Sequence, residues 1–260
     1  MAQAGDVDYG RHGIGYAHHR REDGRIAAVV HRALGTARTV VNVGAGAGSY
    51  EPPDRTVVAV EPSEAMIGQR RPSLGPVVRG VAGSLPFRDG AFDAAMATVT
   101  VHQWPDPVAG LRELRRVATG AVAVLTFDPD ALDRLWLAEY APDLYLAERS
   151  RYPAIRTALD GLGGSPSVID VAIPFDCTDG FTEAYFGRPE AFLDPEVRRA
   201  QSAWSFVDDA VEARYVRTLA EDLASGRWDA RHGELRSRDQ FHGALRLLVS
   251  RPDSPDHRSP

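Results

Sequence analysis

The segment Thr39-Val-Val-Asn-Val-Gly-Ala-Gly-Ala-Gly-Ser-Tyr50 decides the fold of this chain. Its first five residues are mostly β-branched and apolar, which predicts a buried strand. The alternate glycines that follow predict a loop whose backbone can approach a ligand closely, because no Cβ stands in the way. We expect the loop to open onto a helix N-terminus with free N–H groups. A second apolar run, Val57–Val60, comes next and is followed directly by Glu61.

The position of Glu61 at the end of a predicted strand suits a carboxylate that accepts hydrogen bonds from both hydroxyls of a ribose. Together with the glycine loop, it predicts a site for a nucleoside cofactor. The glycine spacing narrows the choice. A dinucleotide fingerprint has the form G-x-G-x-x-G or A, whereas Gly44, Gly46 and Gly48 give G-x-G-x-G and Ser49 takes the last fingerprint position.

This loop resembles motif I of the class I S-adenosylmethionine (SAM)-dependent methyltransferases, and three later blocks resemble the same family in the same order. Ala82–Phe87 with Gly90–Asp93 is similar to the segment beside the adenine. Ala94–Trp104 is similar to motif IV, which ends near the transferred methyl, and Ala121–Leu125 is similar to the fifth strand. Within the family, the chain most resembles the type 11 group of small-molecule enzymes.

The resemblance implies an α/β fold with a Rossmann-like, doubly wound sheet of seven strands, the last of them antiparallel, and a helical insertion or cap in the C-terminal half. We expect five parts along the chain. They are an N-terminal segment and candidate lid (1–22), the SAM-binding core (23–174), the insertion that forms the acceptor pocket (175–240), the final core strand (241–250) and a flexible tail (251–260).

Local signals place several of the elements. Asp23 is a predicted helix N-cap, and Asp106-Pro107 and Asp128-Pro129 each offer an N-cap followed by proline at the first helical position. Val168–Pro174 is the candidate sixth strand and Ala244–Val249 the last one.

The resemblance also implies a set of cofactor residues. Backbone of the glycine loop meets the methionine end, Glu61 meets the ribose, and further residues enclose the adenine or reach the cofactor carboxylate. One position departs from the family: an acid usually stands two residues before the first glycine, and here Asn42, which can still accept from loop N–H groups, replaces it. The full set is Tyr16, Arg20, Asn42, Gly44, Ala45, Gly46, Gly48, Glu61, Pro62, Met66, Gly83, Ser84, Leu85, Thr98 and Val99.

Methyl transfer from a sulfonium needs alignment more than strong chemistry, and it needs a base only when the acceptor must lose a proton. His102, at the end of the motif IV strand, is the candidate general base; a structural histidine is the alternative. The second half of the chain is rich in rings that suit an apolar or planar acceptor, although they could equally form the core of the insertion. The candidate pocket residues are Trp104, Trp136, Tyr140, Tyr185 and Trp204.

Composition excludes several other classes of function. The net charge of −6 and the lack of a basic run argue against a nucleic-acid partner. All 30 basic residues are arginine, which excludes lysine nucleophiles and Schiff bases. Cys177 is the single cysteine, so the chain has no internal disulfide, and no ligand spacing indicates a metal. Without a long apolar run we expect no membrane partner and a cytoplasmic monomer or homodimer.

The predicted function is methyl transfer from SAM, with S-adenosylhomocysteine as product, to O, N or C of a small aromatic or apolar metabolite. One alternative is a non-catalytic SAM- or nucleoside-binding or regulatory protein on the same fold. Another is a nicotinamide or nucleotide-sugar enzyme with a degenerate loop, which the Ser49 spacing and the lack of lysine oppose.

Overall fold

The computed structural model describes residues 20–253, and a sheet of seven strands lies at its centre. Within these residues the strands are β1 (Thr39–Val43), β2 (Thr56–Val60), β3 (Val77–Val78), β4 (Ala94–Thr98), β5 (Val122–Phe127), β6 (Ser165–Asp170), β7 (Ile173–Pro174), β8 (Gln240–Phe241) and β9 (Leu245–Arg251). The α-helices are α1 (Gly24–Ala33), α2 (Glu64–Ile67), α3 (Pro107–Val117), α4 (Leu137–Tyr140), α5 (Pro142–Arg151), α6 (Ile155–Leu162), α7 (Pro195–Arg199), α8 (Asp209–Ala224) and α9 (Arg227–His232).

The sheet has the order β3-β2-β1-β4-β5-β9-β6. The strands β1 to β5 pair in parallel, whereas β9 runs antiparallel between β5 and β6. This arrangement confirms the predicted Rossmann-like fold with an antiparallel last strand. Strands β7 and β8 form a separate small antiparallel pair.

Two cores cover the two faces of the sheet. All six residues of β5 are buried, as expected for a central strand of a sheet that is covered on both sides. On one face α3 and α6 pack around Leu111, Leu114 and Leu162. On the other face α1 packs together with the insertion, so that the insertion and the nucleotide-binding half share one core.

Two of the three predicted N-caps are confirmed, and the third is wrong. Asp23 caps α1 by accepting from the Arg25 N–H, and Asp106 caps α3 with Pro107 at the first helical position. Asp128 instead accepts from the Asp130 N–H in a turn that leads only into the 3₁₀ helix Leu132–Arg134. An Asp-Pro pair is also a common start of a turn, and here the tertiary contacts select the turn.

The helix predicted after the glycine loop is absent, because residues 44–55 run in turns from β1 to β2. The consecutive prolines Pro52 and Pro53 supply no backbone donors, and Gly48 has a left-handed φ of 95°. Such a segment cannot propagate an α-helix. No helix dipole therefore follows the loop within residues 44–55.

The strands of the second half also differ in extent from the prediction. The candidate sixth strand is divided between β6, which begins three residues earlier than predicted, and the short β7. The last strand begins at Leu245 and continues to Arg251. Among residues 20–253, no helix has the length and apolarity needed to cross a bilayer.

Candidate active site

The glycine loop turns sharply at the carboxyl end of β1. Gly44, Gly46 and Gly48 have φ values of 69°, 53° and 95°, which side-chain-bearing residues rarely adopt. A Cβ on Gly44 would overlap the Thr100 side chain, and one on Gly48 would overlap Leu74. Gly44 is therefore required where β1 and β4 end side by side. Gly48 is required where the back of the loop packs against Leu74.

Glu61 connects the ends of β1 and β2. Its carboxylate accepts from the Gly46 N–H at 2.8 Å and from the Ser63 N–H at 2.9 Å. The side chain is 7% exposed, and this burial raises the pKa of Glu61, while the two N–H donors and Arg70 partly offset the rise. Each carboxylate oxygen keeps a second lone pair, so the residue can accept further hydrogen bonds from a ligand.

Asn42 does not contact the loop N–H groups as expected. Its Nδ2 donates to Glu51 at 3.1 Å, and its Oδ1 has no hydrogen-bond partner among the described residues. Glu51 also forms a bidentate pair with Arg70, at 2.9 and 3.0 Å. Thus Glu51, seven residues after Gly44, brings a buried carboxylate beside Asn42, the position where the family usually has an acid. A motif search that compares the sequence position by position does not find this acid, because Glu51 lies nine residues after Asn42.

A cavity of roughly 720 Å³ lies in front of this loop. Eight of the predicted cofactor residues line it: Arg20, Gly44, Ala45, Gly46, Glu61, Met66, Thr98 and Val99. Six residues outside the predicted set also line it: Ala47, Ser49, Tyr50, Thr100, Gln103 and Asp179.

Other predicted cofactor residues lie off the walls of this cavity. Leu85 packs in the core beside α3, and its N–H donates to Glu113. Asn42 and Gly48 lie behind the loop, where Asn42 contacts Glu51 and Gly48 faces Leu74. The predicted residues that do not line the cavity are Asn42, Gly48, Pro62, Gly83, Ser84 and Leu85. Tyr16 lies outside the described residues.

Asp179, from the insertion, closes one side of the cavity. It accepts from Arg20 Nε at 2.6 Å and from the Tyr50 hydroxyl at 2.7 Å. Tyr50 itself has a left-handed φ of 64° at the end of the loop. Because these three residues come from distant parts of the chain, the contact joins the N-terminal segment, the loop and the insertion at one point.

A second cavity of roughly 670 Å³ adjoins the first, and Arg20, Val99 and Gln103 line both. Val99 has a φ of 52°, an unfavourable conformation for a β-branched residue, and it lies where the two cavities meet. Apolar and aromatic side chains form much of the second cavity: Phe127, Leu132, Leu144, Tyr145, Tyr152 and Phe181.

His102 lines the second cavity and packs against Tyr152, with a ring-centroid distance of 4.5 Å. Its Nδ1 has no hydrogen-bond partner among the described residues. Burial, together with the nearby Arg151 and Arg20, holds the pKa of His102 well below its usual value. The imidazole is therefore neutral near pH 7, and this environment makes it a weak base.

The five rings predicted to form the acceptor pocket do not line either cavity. Trp136 donates to the Phe186 carbonyl and packs edge-on against Trp228, and Trp204 packs against Tyr215. Tyr140 donates to Asp222, and Tyr185 lies beneath the Arg188 guanidinium. Trp104 packs against α3. Trp136, Tyr140, Tyr185 and Trp204 belong to the core that the insertion shares with the sheet, and Trp104 belongs to the core on the other face.

The polar residues of the second cavity were missed from the sequence. They include Glu183 and Gln201, which have no motif around them, and the structure alone brings them together. Cys177 is buried elsewhere, and burial raises the pKa of its thiol to about 12, so it is not a nucleophile. No group of three or more His, Cys, Asp or Glu side chains within residues 20–253 is arranged to hold a metal ion.

Comparison with known proteins agrees with this geometry. Residues 41–124 match a family model described as a methyltransferase domain. A candidate methyltransferase from an antibiotic biosynthesis pathway of Anabaena variabilis has a solved structure that is 25% identical in sequence. It superposes with a TM-score of 0.81 over 89% of this chain and 98% of its own.

Residues 41–124 form a class I methyltransferase domain. The resemblance carried by the glycine loop and motif IV is thereby confirmed, and SAM is the cofactor of this family. A SAM-dependent methyltransferase of Thermotoga maritima shares the fold, with 17% identity, a TM-score of 0.53 and coverage of 95% of this chain and 92% of its own.

A curated relative, the uncharacterized protein YafE of Escherichia coli K12, is 38% identical to this chain over 50 residues. That match covers 19% of this chain and 24% of the relative, so it spans only about a quarter of the curated protein.

Proposed function

We propose that this protein transfers the methyl group of SAM to a small, largely apolar or aromatic molecule held in the second cavity. One observation carries the proposal. A nucleoside-type cavity, lined by the glycine loop and Glu61, adjoins an aromatic-lined cavity, and three residues form walls of both. A protein that only binds the cofactor would not need the second cavity.

The residues of the first cavity fit the cofactor. Glu61 has free lone pairs on a carboxylate that is fixed by two backbone donors, which suits a pair of ribose hydroxyls. Met66 offers an apolar, polarisable surface to an adenine. Arg20 reaches the cavity from a buried ion pair and can meet a carboxylate. Asp179, on the same side, can pair with an ammonium group.

When bound, SAM supplies an activated methyl on a sulfonium. The residues of the chain then have to align the acceptor and exclude water. Val99 and Gln103 form the boundary that both ligands must meet, and the rings of Phe127, Tyr152 and Phe181 shield the acceptor side. His102 presents a neutral ring nitrogen there, which suits hydrogen bonding to the acceptor better than strong proton abstraction.

Calorimetric titration of the purified protein with SAM, S-adenosylhomocysteine and NAD tests the cofactor assignment. We expect micromolar binding of the first two and none of NAD. Methyl transfer is then tested with radiolabelled SAM against a panel of small aromatic acceptors. Binding of NAD in place of SAM would contradict the proposal. Tight SAM binding without transfer to any acceptor would favour the non-catalytic alternative.

A further inference from the structure

Two polar residues that line the second cavity are buried. Glu183 is 2% exposed and Gln201 is 4% exposed, and both line the cavity. The Thr182 hydroxyl donates to Gln201 Oε1 at 2.8 Å, which orients the amide. Gln201 Nε2 then has no hydrogen-bond partner within residues 20–253. We call Glu183 and Gln201 the polar wall.

Glu183 is held firmly at this wall. The Ala244 N–H donates to its two carboxylate oxygens at 2.7 and 3.0 Å. A Cβ on Gly243 would overlap the Glu183 carboxylate, so the backbone at that position approaches the acid as closely as glycine permits.

The charged and titratable groups around Glu183 come from three other elements. Arg134 lies in the 3₁₀ helix before α4, Arg246 lies in β9 and Tyr145 lies in α5. Burial outweighs the two guanidinium groups and raises the pKa of Glu183 to about 7.

A purely structural role explains only part of this arrangement. Glu183 satisfies the Ala244 N–H, but that bond does not account for the buried donor of Gln201, which lines the same cavity. Buried amide donors in proteins are almost always paired, and the cost of leaving one unpaired is about 1–3 kcal/mol. An unpaired donor and a fixed carboxylate among the residues that line one cavity point to a ligand that pairs with both.

We propose that the polar wall binds the polar end of the methyl acceptor, and that this end is a carboxamide or lactam. Its carbonyl oxygen accepts from Gln201 Nε2, and its N–H donates to the Glu183 carboxylate. The apolar part of the acceptor then lies among the rings of Phe127, Tyr152 and Phe181. This inference rests on the proposed methyltransferase function and specifies its acceptor.

The test uses protein saturated with S-adenosylhomocysteine and four probes that share one ring: benzamide, benzoate, benzylamine and toluene. Affinities are measured by ligand-observed NMR at pH 8. We expect benzamide to bind about tenfold more tightly than the other three, since only benzamide pairs with both wall residues. The variant Gln201→Leu should remove this preference and leave the affinity for toluene unchanged.

The pH dependence distinguishes ligand binding from a structural role. Benzamide affinity should rise severalfold between pH 6 and pH 8, because the ionised carboxylate is the stronger hydrogen-bond acceptor. In Glu183→Gln the affinity should be flat across this range. The control is Asp222→Asn, a buried acid of the insertion that lines neither cavity, and it should behave like the wild type.

Two results would overturn the inference: no preference for benzamide in the wild type, or a preference that persists in both wall variants. Calorimetry with S-adenosylhomocysteine is run on every variant. If the wild type does not bind S-adenosylhomocysteine, the result counts against the methyltransferase function itself. Intact binding without a benzamide preference would count against the polar wall alone.

Discussion

Glu61 both stabilises the glycine loop and faces the first cavity, and a substitution at this position tests its contribution to cofactor binding. Its carboxylate holds the turn at Gly46 and faces the first cavity. We expect Glu61→Ala to weaken S-adenosylhomocysteine binding by about 1–3 kcal/mol, the range for a lost hydrogen bond to a charged group. Calorimetry measures this change. The control is Glu64→Ala, an exposed acid on α2 that pairs with Arg79. Equal affinities in the two variants would remove Glu61 from the cofactor site.

Substitution of His102 tests how far burial weakens this residue as a general base. A general base at this position should contribute roughly a hundredfold or more to turnover. Because the pKa of His102 is held well below its usual value, we expect His102→Asn to lower kcat by less than about tenfold and to leave the pH profile near neutrality unchanged. Stopped assays of methyl transfer from pH 6 to pH 9 measure both quantities. A hundredfold loss of kcat would restore the role of general base.

Single residues were predictable where a short motif fixes their chemistry. Gly44, Gly46 and Glu61 line the first cavity because the end of a parallel strand leaves few other positions for them. Glu51 could not be predicted, since its carboxylate reaches Asn42 only after the loop has turned.

The glycine loop lines the first cavity although the helix predicted to follow it is absent. No helix follows the loop, so the chain returns to β2 through turns, and the cavity depends on backbone geometry instead of a helix dipole. This makes the loop intolerant of side chains at its first position.

Substitution at Gly44 tests this requirement. Gly44→Ala places a Cβ at a φ of 69° against the Thr100 side chain. We expect a loss of at least about 1–2 kcal/mol in the free energy of unfolding, the cost of a left-handed residue, together with much weaker S-adenosylhomocysteine binding. Chemical denaturation and calorimetry measure the two effects.

The matched control is Gly24→Ala in the first turn of α1, where a Cβ would meet no atom within 4 Å. We expect this variant to be at least as stable as the wild type, since alanine favours the helix. If Gly44→Ala behaved in the same way, the close approach of β1 and β4 would not limit the loop.

Across the whole molecule, the insertion and the sheet form one core, and burial at their contact has a thermodynamic consequence. Glu183 has a pKa of about 7 in the folded state, against 4.5 for an ordinary glutamate. Between these pH values the folded protein keeps a proton that the unfolded chain has lost. The free energy of unfolding should therefore fall as pH rises through this window, by about 3 kcal/mol from this group.

Unfolding of Glu183→Gln in urea tests whether Glu183 makes the free energy of unfolding fall as pH rises. The stability of the variant relative to the wild type should increase by roughly 2–4 kcal/mol between pH 4.5 and pH 8. The control Asp222→Asn removes an acid whose pKa is lowered, first of all by the Tyr140 hydroxyl, so its difference from the wild type should stay constant above pH 5. A constant difference in Glu183→Gln as well would mean that Glu183 is ionised in the folded protein.

The sequence by itself determined the cofactor loop and the acid after β2, because each depends on residues close together in the chain, and the resemblance of these motifs to a known family implied the sheet with its antiparallel last strand. Strand periodicity, glycine spacing and an acid after a strand are all local patterns. Only the tertiary structure decided the acceptor side. Four of the predicted rings pack into the core that the insertion shares with the sheet and Trp104 packs beside α3, while Glu183 and Gln201 became the polar wall. Burial of apolar area does not depend on direction, so a ring in the sequence does not show which surface it will cover. A cavity wall is made of residues that meet only after every element has packed.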